Sequence, residues 1–498
     1  MTETGFQQAV IPESFAGQVA QIAAFIARYH GTMETRAVMP SVDPGAVFDT
    51  LPSRAPESAE PFDAIMADVE QIILPALAHW QHPMFFGYFP ANASAPAMLA
   101  DLLCAGLGVQ GMLWQTSPAC TELEMRVLDW LGELIALPKA FLFGTEGASG
   151  AGGGGVIQGT ASEAVLSTMI AARAAHGGTS APHHTVYAST QAHSSVVKAA
   201  RMCGVVAEHV RLVPTSSDLA MDASALQAMI NADIAQGRAP AFICATLGTT
   251  STGAMDPLAS IGPIAQRAGA WLHVDAAWAG SAFVCPELRA PMEGIEHADS
   301  FNFNPHKWLL TNFDCSCLWL NGQARREQLI NAMSITPEYL RNQASESGKV
   351  VDYRDWHVPL GRRFRALKLW FVLRMFGAEG LREHIKADLA MAQWLESQVH
   401  EEPRLELLAP PSLALLCLAV KAADAPQANA HTRALHDWLR NDGQAVLTHT
   451  TVPDGSQAGR YGLRIAIGSP ATTQAHVVRL WNLLQHGLDA VIGASTSV

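Results

Sequence analysis

WLHVDAAWAGS, residues Trp271–Ser281, is a short apolar run stopped by an acid and followed by small residues. An apolar run bounded in this way reads as a buried strand. The residue that stops a parallel strand lies at its carboxyl end, where functional groups of open α/β sheets collect. Asp275 stands there, and a buried carboxylate needs a cation or hydrogen-bond donors. Ala276, Ala277 and Gly280 leave room for a flat ligand against the backbone. Taken alone, the stretch is read equally well as a core strand ending in a helix-capping Asp.

Outward from it lie six more runs of strand character: Ala140–Phe143, Thr185–Ala188, Val210–Val213, Ala241–Leu247, Ser300–Phe303 and Cys315–Leu320. They alternate with helix-length segments, the pattern of crossover units and a mostly parallel sheet. Residues 1–100 are helical in pattern and punctuated by proline. Beyond residue 385 come an amphipathic segment, two strands (Ala414–Val420 and Gly462–Ile467) and a closing helix. The expected fold class is α/β, with a large domain over 101–385 and a smaller α+β domain over 386–498.

The chain has 498 residues, a net charge of −13 and only 15% charged residues, where a soluble domain has about 25%. Its acidic balance argues against a nucleic-acid partner, and its 49% hydrophobic content against disorder. Between Gln71 and Thr121 the one Asp, Glu, Lys or Arg is Asp101. A membrane span needs about 20 mostly apolar residues in a row. Here His79, Gln81, His82, Pro83, Pro90, Asn92 and Pro96 break the run, so it reads as buried soluble structure with no membrane role. The start, MTETGFQQAVIPESF, lacks the basic and apolar regions of a secretory signal. Eight scattered Cys without a CxxC pair fit reduced thiols and a cytoplasmic location. No metal site is expected: His183-His184 has no carboxylate or Cys at ligand spacing.

Two further signals carry chemistry. After the Gly-rich stretch Gly144–Gly155, Thr160 and Glu163 have capping-box spacing and start a helix near Thr160. Free N–H groups of Ala161 and Ser162 at that helix start suit a phosphate, although a capped helix after a flexible loop has the same pattern. Downstream, Lys307 is the one cation of SFNFNPHKWLLTNFDC (Ser300–Cys315), flanked by His306 and Trp308. Burial of such a lysine favours its neutral, nucleophilic form; a snorkelling surface lysine is the alternative. Phosphate-binding helix start, strand-end acid and buried lysine together match the needs of pyridoxal 5′-phosphate.

The strings PACTELE (Pro118–Glu124), VIQGTASEA (Val156–Ala164), QAHSSVVKA (Gln191–Ala199), ATLGTTSTGA (Ala245–Ala254), LHVDAAWAGSAFVCPELR (Leu272–Arg289), FNFNPHKWLL (Phe301–Leu310) and PLGRRFRALKLWFVLR (Pro359–Arg374) strongly resemble the pyridoxal-phosphate-dependent aromatic L-amino acid decarboxylases. The resemblance covers residues 15–490. It implies the fold type I of pyridoxal-phosphate-dependent transferases, a homodimer with the N-terminal segment packed on the partner, and decarboxylation of phenylalanine, tyrosine, tryptophan or DOPA to the arylalkylamine. It makes Lys307 the lysine bonded to the cofactor and Asp275 the partner of its ring nitrogen. Ala161 and Ser162 match the phosphate site, with Asn304 and His306 nearby. His193 matches the imidazole stacked on the ring, Ala277 the residue on the opposite face, and Thr250 a residue beside it. Tyr339 matches a mobile-loop proton donor. Trp80, Tyr88, Phe89, Pro90 and Ala91 resemble the wall of the substrate ring, joined by Met112 and Leu113 from the partner subunit. Some relatives make aldehydes with oxygen and replace the loop tyrosine by Phe or the stacking histidine by Asn; this chain keeps both residues, which favours amine formation. A catalytically silent binding homologue is the reading from another class, disfavoured by the intact set Lys307, Asp275, His193 and Tyr339. A glutamate decarboxylase is disfavoured because the Trp80–Ala91 region supplies no cation for a side-chain carboxylate.

Overall fold

The computed structural model describes residues 11–178 and 183–495, so the reading of MTETGFQQAV falls outside the described residues. Seven strands form the main sheet: β1 Gly155–Gln158, β2 His184–Ser189, β3 Val210–Val213, β4 Ala239–Thr246, β5 Trp271–Asp275, β6 Ser300–Phe303 and β7 Ser316–Leu320. Their order is β1-β7-β6-β5-β4-β2-β3. The pairs β6–β5, β5–β4, β4–β2 and β2–β3 are parallel, and β7 is antiparallel to both its neighbours. β2, β5, β6 and β7 are buried along their whole length. That is why they read as continuous apolar runs and not as alternating ones.

A second sheet contains β8 Leu405–Leu407, β9 Leu415–Val420, β10 Thr448–Val452 and β11 Arg460–Ala466, in the order β10-β11-β9-β8 and antiparallel throughout. The two sheets are bridged by helix Ala366–Glu401, which is broken at Gly377 and runs through the expected boundary at 385/386.

One expected strand is absent. Ala140–Phe143 forms a 3-10 turn over Lys139–Phe141, and β1 takes its place in the sheet from residues for which no strand is expected. The Asp129 carboxylate accepts from the N–H groups of Phe143 and Gly144, both at 2.9 Å, so those donors are not available to a ladder. The glycines that follow pass flush against backbone. A Cβ on Gly152 would lie 1.8 Å from the Leu142 carbonyl oxygen, and one on Gly153 1.7 Å from that of Leu320. The Gly-rich composition therefore records close packing, which leads the chain into β1.

β1 is an edge strand, and its outer backbone groups need partners. Glu124 accepts from the Ile157 N–H at 2.7 Å, Arg362 donates to the Ile157 carbonyl, and the Tyr353 hydroxyl donates to the Gly155 carbonyl at 2.9 Å. Arg362 in turn grips Glu124 with two bonds of 2.7 and 2.6 Å. The PACTELE and PLGRRFR motifs thus clamp the strand that delivers the turn before helix Ala161–Ala175.

The capping box at that helix forms only in part. Glu163 reaches back, but to the N–H of Gly159 at 2.8 Å, and the Thr160 side chain makes no capping bond. The charge-poor stretch before the sheet is threaded between the two sheets. Phe86 exchanges backbone bonds with Val446 and Ala466, and Asn92 bonds His306, Leu310 and Gly468. No helix among the described residues is long and apolar enough to cross a membrane.

Candidate active site

β5 ends on Asp275 and β6 pairs beside it, with Asp275 opposite Asn302. The chain leaving β6 makes a one-turn helix, Pro305–Trp308, which sets Lys307 beyond the carboxyl end of the sheet. A cavity of 490 Å³ opens there. His193, Thr250, His306 and Lys307 line it, and Trp80, Tyr88, Phe89 and Ala91 form its wall.

The electrostatics follow from burial. Lys307 lies below the ordinary lysine range, first because burial penalises its charge and further through the nearby Arg464 charge; Asp275 opposes both. The Lys307 ammonium makes no ion pair among the described residues, so its nitrogen is free for chemistry. His193 is also lowered, by burial first and by Lys307, against the pull of Asp275. Its Nδ1 takes the Ser195 N–H at 3.2 Å and faces the Ser195 hydroxyl at 2.9 Å. A backbone N–H donated into Nδ1 places the proton of the neutral ring on Nε2. Burial pushes His306 down to about 3, and its Nδ1 accepts from the Cys315 N–H at 2.9 Å.

Asp275 is 3% exposed. One oxygen accepts from the Ala277 N–H at 3.0 Å and from Asn302 at 3.4 Å, and no cation lies within ion-pair distance among the described residues. A buried carboxylate so placed has capacity for one more, cationic donor, which a protonated pyridine nitrogen provides. The Asn304 side-chain oxygen is buried without a partner, and the first-turn N–H groups of Ala161 and Ser162 have no intrahelical acceptor. The residues present therefore fit pyridoxal phosphate.

Other expected residues lie apart from the cavity lining. Ala277 is half-buried beside Asp275, and Pro90 is buried next to Phe89. Met112 and Leu113 pack away from their own chain's cavity; the Met112 carbonyl accepts from the Arg354 N–H. Tyr339 is 77% exposed on a short turn, Glu338–Leu340, and does not line this cavity.

Three lining residues were not expected: Trp278, Phe313 and Arg464. Arg464 comes from β11, is 5% exposed and has no carboxylate partner among the described residues. It donates to the Ser251 carbonyl at 3.1 Å and to the Thr448 hydroxyl at 2.8 Å, and burial pulls it down to about 10. The Trp80–Ala91 region itself holds no cation, but the second sheet supplies one to the same cavity. The signal was present in GLRIAIG, a lone charge within an apolar strand. Elsewhere His184 bonds Arg173 and the His176 carbonyl, so both its ring nitrogens are engaged within the protein.

Residues 44–421 match the family model described as the pyridoxal-dependent decarboxylase conserved domain. Tryptophan decarboxylase TDC1 of Camptotheca acuminata is 44% identical over 97% of this chain and 95% of its own length. Aromatic-L-amino-acid decarboxylase of Bos taurus is 44% identical over 95% of this chain and 96% of its own length. Phenylacetaldehyde synthase of Arabidopsis thaliana is 44% identical over 93% of each. Among solved structures, Oryza sativa TDC with PLP and tryptamine superposes with a TM-score of 0.91 at 38% identity, covering 98% of this chain and 99% of that one.

Proposed function

Because the chain belongs to the pyridoxal-dependent decarboxylase family and acts as a carboxy-lyase on aromatic L-amino acids, we propose a division of labour among its residues. Pyridoxal phosphate, when bound, supplies an aldehyde that condenses with amines and a ring that takes up the electrons of the breaking Cα–carboxylate bond. Lys307 would hold that aldehyde and, as the free amine, would accept a proton from the substrate ammonium. Asp275 keeps the ring nitrogen protonated. Ala161 and Ser162 hold the phosphate, with Asn304 and His306 at the edges of the site. His193 would stack on the ring, Ala277 would pack on its opposite face, and Thr250 would stand beside it. Trp80, Tyr88, Phe89, Pro90 and Ala91 enclose the substrate ring. Residues 101–385 carry the cofactor, and 386–498 close the site from the far side.

The observation that carries this reading is a lysine lining an aromatic-walled cavity without an ion-pair partner among the described residues, together with a buried strand-end carboxylate that likewise has no cation among them. We place Tyr339 as the proton donor to Cα, brought in when its segment closes and excludes water. Tyr339→Phe is expected to shift the product from amine to aldehyde, since an unprotonated carbanion is left to react with oxygen and water. A panel of phenylalanine, tyrosine, tryptophan and DOPA, with CO2, amine, ammonia and peroxide all measured, tests both claims. The wild type should release CO2 and amine; unchanged amine yield in Tyr339→Phe removes Tyr339 from this role. The 44% identity to an aldehyde synthase makes that reaction the second reading, marked in the same assay by ammonia and peroxide in the wild type.

We also propose a cytoplasmic homodimer. Leu99, Leu102, Leu103 and Leu107 are each at least 44% exposed on helix Ala95–Leu107. With helix Phe15–Gly31, Leu99 and Leu102 border an apolar hollow of 530 Å³. A contiguous apolar face of this kind marks an interface. It explains the missing charge between Gln71 and Thr121, and we assign half-buried Met112, with Leu113 buried beside it, to the neighbouring subunit's site. Light scattering should give a two-chain particle, and Leu103→Glu should release inactive monomer. A fully active monomer would overturn the assignment.

A further inference from the structure

Behind the cavity wall, away from the cofactor residues, a buried carboxylate is tied to the aromatic residue next to Lys307. Asp388 is 3% exposed on helix Ala366–Glu401. It accepts the Trp308 indole N–H at 2.7 Å. His384, one turn earlier, stands 3.8 Å away, and its Nε2 is buried without a hydrogen bond. Burial pushes the Asp388 carboxyl up to about 7, with the indole bond opposing the rise, and it pulls His384 down to about 4. The indole is thus the one donor that supports this carboxylate, and the carboxylate is the one acceptor for the indole.

Trp308 is fully buried and does not line the cavity; it backs the residues that do. Its ring meets Phe89 edge-on at 5.3 Å and Trp278 at 5.8 Å, and Phe89 stacks on Trp278 at 4.9 Å. The Trp278 indole is fixed separately, by the Gly248 carbonyl at 2.7 Å. On the other side Gly468 closes the wall: a Cβ there would lie 2.6 Å from Phe89 and 3.4 Å from Trp308. Phe89 therefore has one adjustable support, Trp308, whose rotation about its own bonds is set by Asp388.

We propose that Asp388 is a positioning residue that sets ring selectivity by holding Trp308 against Phe89 and Trp278. The proposal rests on the aromatic decarboxylase reading, since it concerns how that cavity fits a ring. Losing the acceptor leaves an indole N–H unsatisfied in apolar surroundings, and Trp308 turns away to find another partner. Phe89 then loses its backing, and the largest ring, which presses furthest on the wall, loses most.

The test compares Asp388→Leu and Asp388→Ala, which remove the acceptor, with Asp388→Asn, which keeps one. Each holoenzyme is assayed with tryptophan and phenylalanine, and tryptamine affinity is measured by calorimetry. The expected result is a KM for tryptophan raised about tenfold relative to that for phenylalanine, within the range a reshaped apolar pocket yields. The kcat should change little, tryptamine should bind correspondingly more weakly, and Asp388→Asn should restore the ratio. If Asp388→Leu does not fold, Asp388→Ala reads the same ratio, and Asp388→Asn with altered selectivity counts against the proposal. A selectivity ratio unchanged in the acceptor-free variants, with only the melting temperature lowered, overturns it. A wild type that decarboxylates no aromatic amino acid overturns the underlying reading instead.

Discussion

Lys307→Ala should abolish decarboxylation, with a loss on the order of 10⁴-fold, the upper end for removing a positioned proton-transfer group. As the residue proposed to hold the cofactor covalently, it should give a second signal: in the variant, borohydride no longer attaches the cofactor to the protein. Both follow from its isolation. Lys307 has no ion-pair partner among the described residues, and burial and the Arg464 charge favour its neutral form while Asp275 opposes them. Because its pKa lies below the ordinary lysine value, the free amine is present at lower pH than in a solvated lysine. Uptake of pyridoxal phosphate by the apo-protein should therefore reach its plateau at correspondingly lower pH. Arg464, the other cation of the cavity, cannot substitute, since a guanidinium stays protonated and is not a nucleophile. Lys307→Arg should accordingly be as inactive as Lys307→Ala, whereas an added small amine should recover part of the activity of the alanine variant. Residual turnover above a tenth of the wild type would show that another group moves the proton.

The same environment explains which features were legible in the sequence. β5 and β6 are buried along their length, so their apolar runs stood out, and the acid and lysine that interrupt them drew the eye to the site. β1 was hidden because the glycines just before it, Gly152 and Gly153, pack against the Leu142 and Leu320 carbonyls, a long-range requirement that resembles a flexible loop. Ala140–Phe143 was misread for a related reason. Its composition suits a strand, but Asp129, a residue one helix earlier, claims its donors. Arg464 lies 464 − 307 = 157 residues beyond Lys307 on a different sheet, and only tertiary folding brings the two together. The bond between Asp388 and Trp308 was equally invisible, since an acid in a long helix ordinarily faces water. Tyr339 was recognised from its motif, yet its 77% exposure places it outside the cavity of the chain as it stands.

Asp275→Asn should lower kcat by on the order of 10³-fold, comparable to removing one preorganised electrostatic group aimed at developing charge. The substitution is unusually clean here. The native carboxylate takes the Ala277 N–H at 3.0 Å, and an amide oxygen in its place can take the same bond, so the strand end keeps its shape. What is lost is the negative charge, and with it the force that keeps a ring nitrogen protonated. That charge matters most when electrons flow into the ring, at the transition state, so kcat and kcat/KM should fall together. A rise in KM at constant kcat would instead mean that Asp275 binds substrate and transition state equally. Asp275→Glu supplies the internal control: it restores the charge but displaces it by one methylene, in a strand end where β6 and the Ala277 turn leave little slack. Its activity should lie between those of the wild type and Asp275→Asn, and an Asp275→Glu no better than Asp275→Asn would argue that position, as much as charge, governs the ring nitrogen.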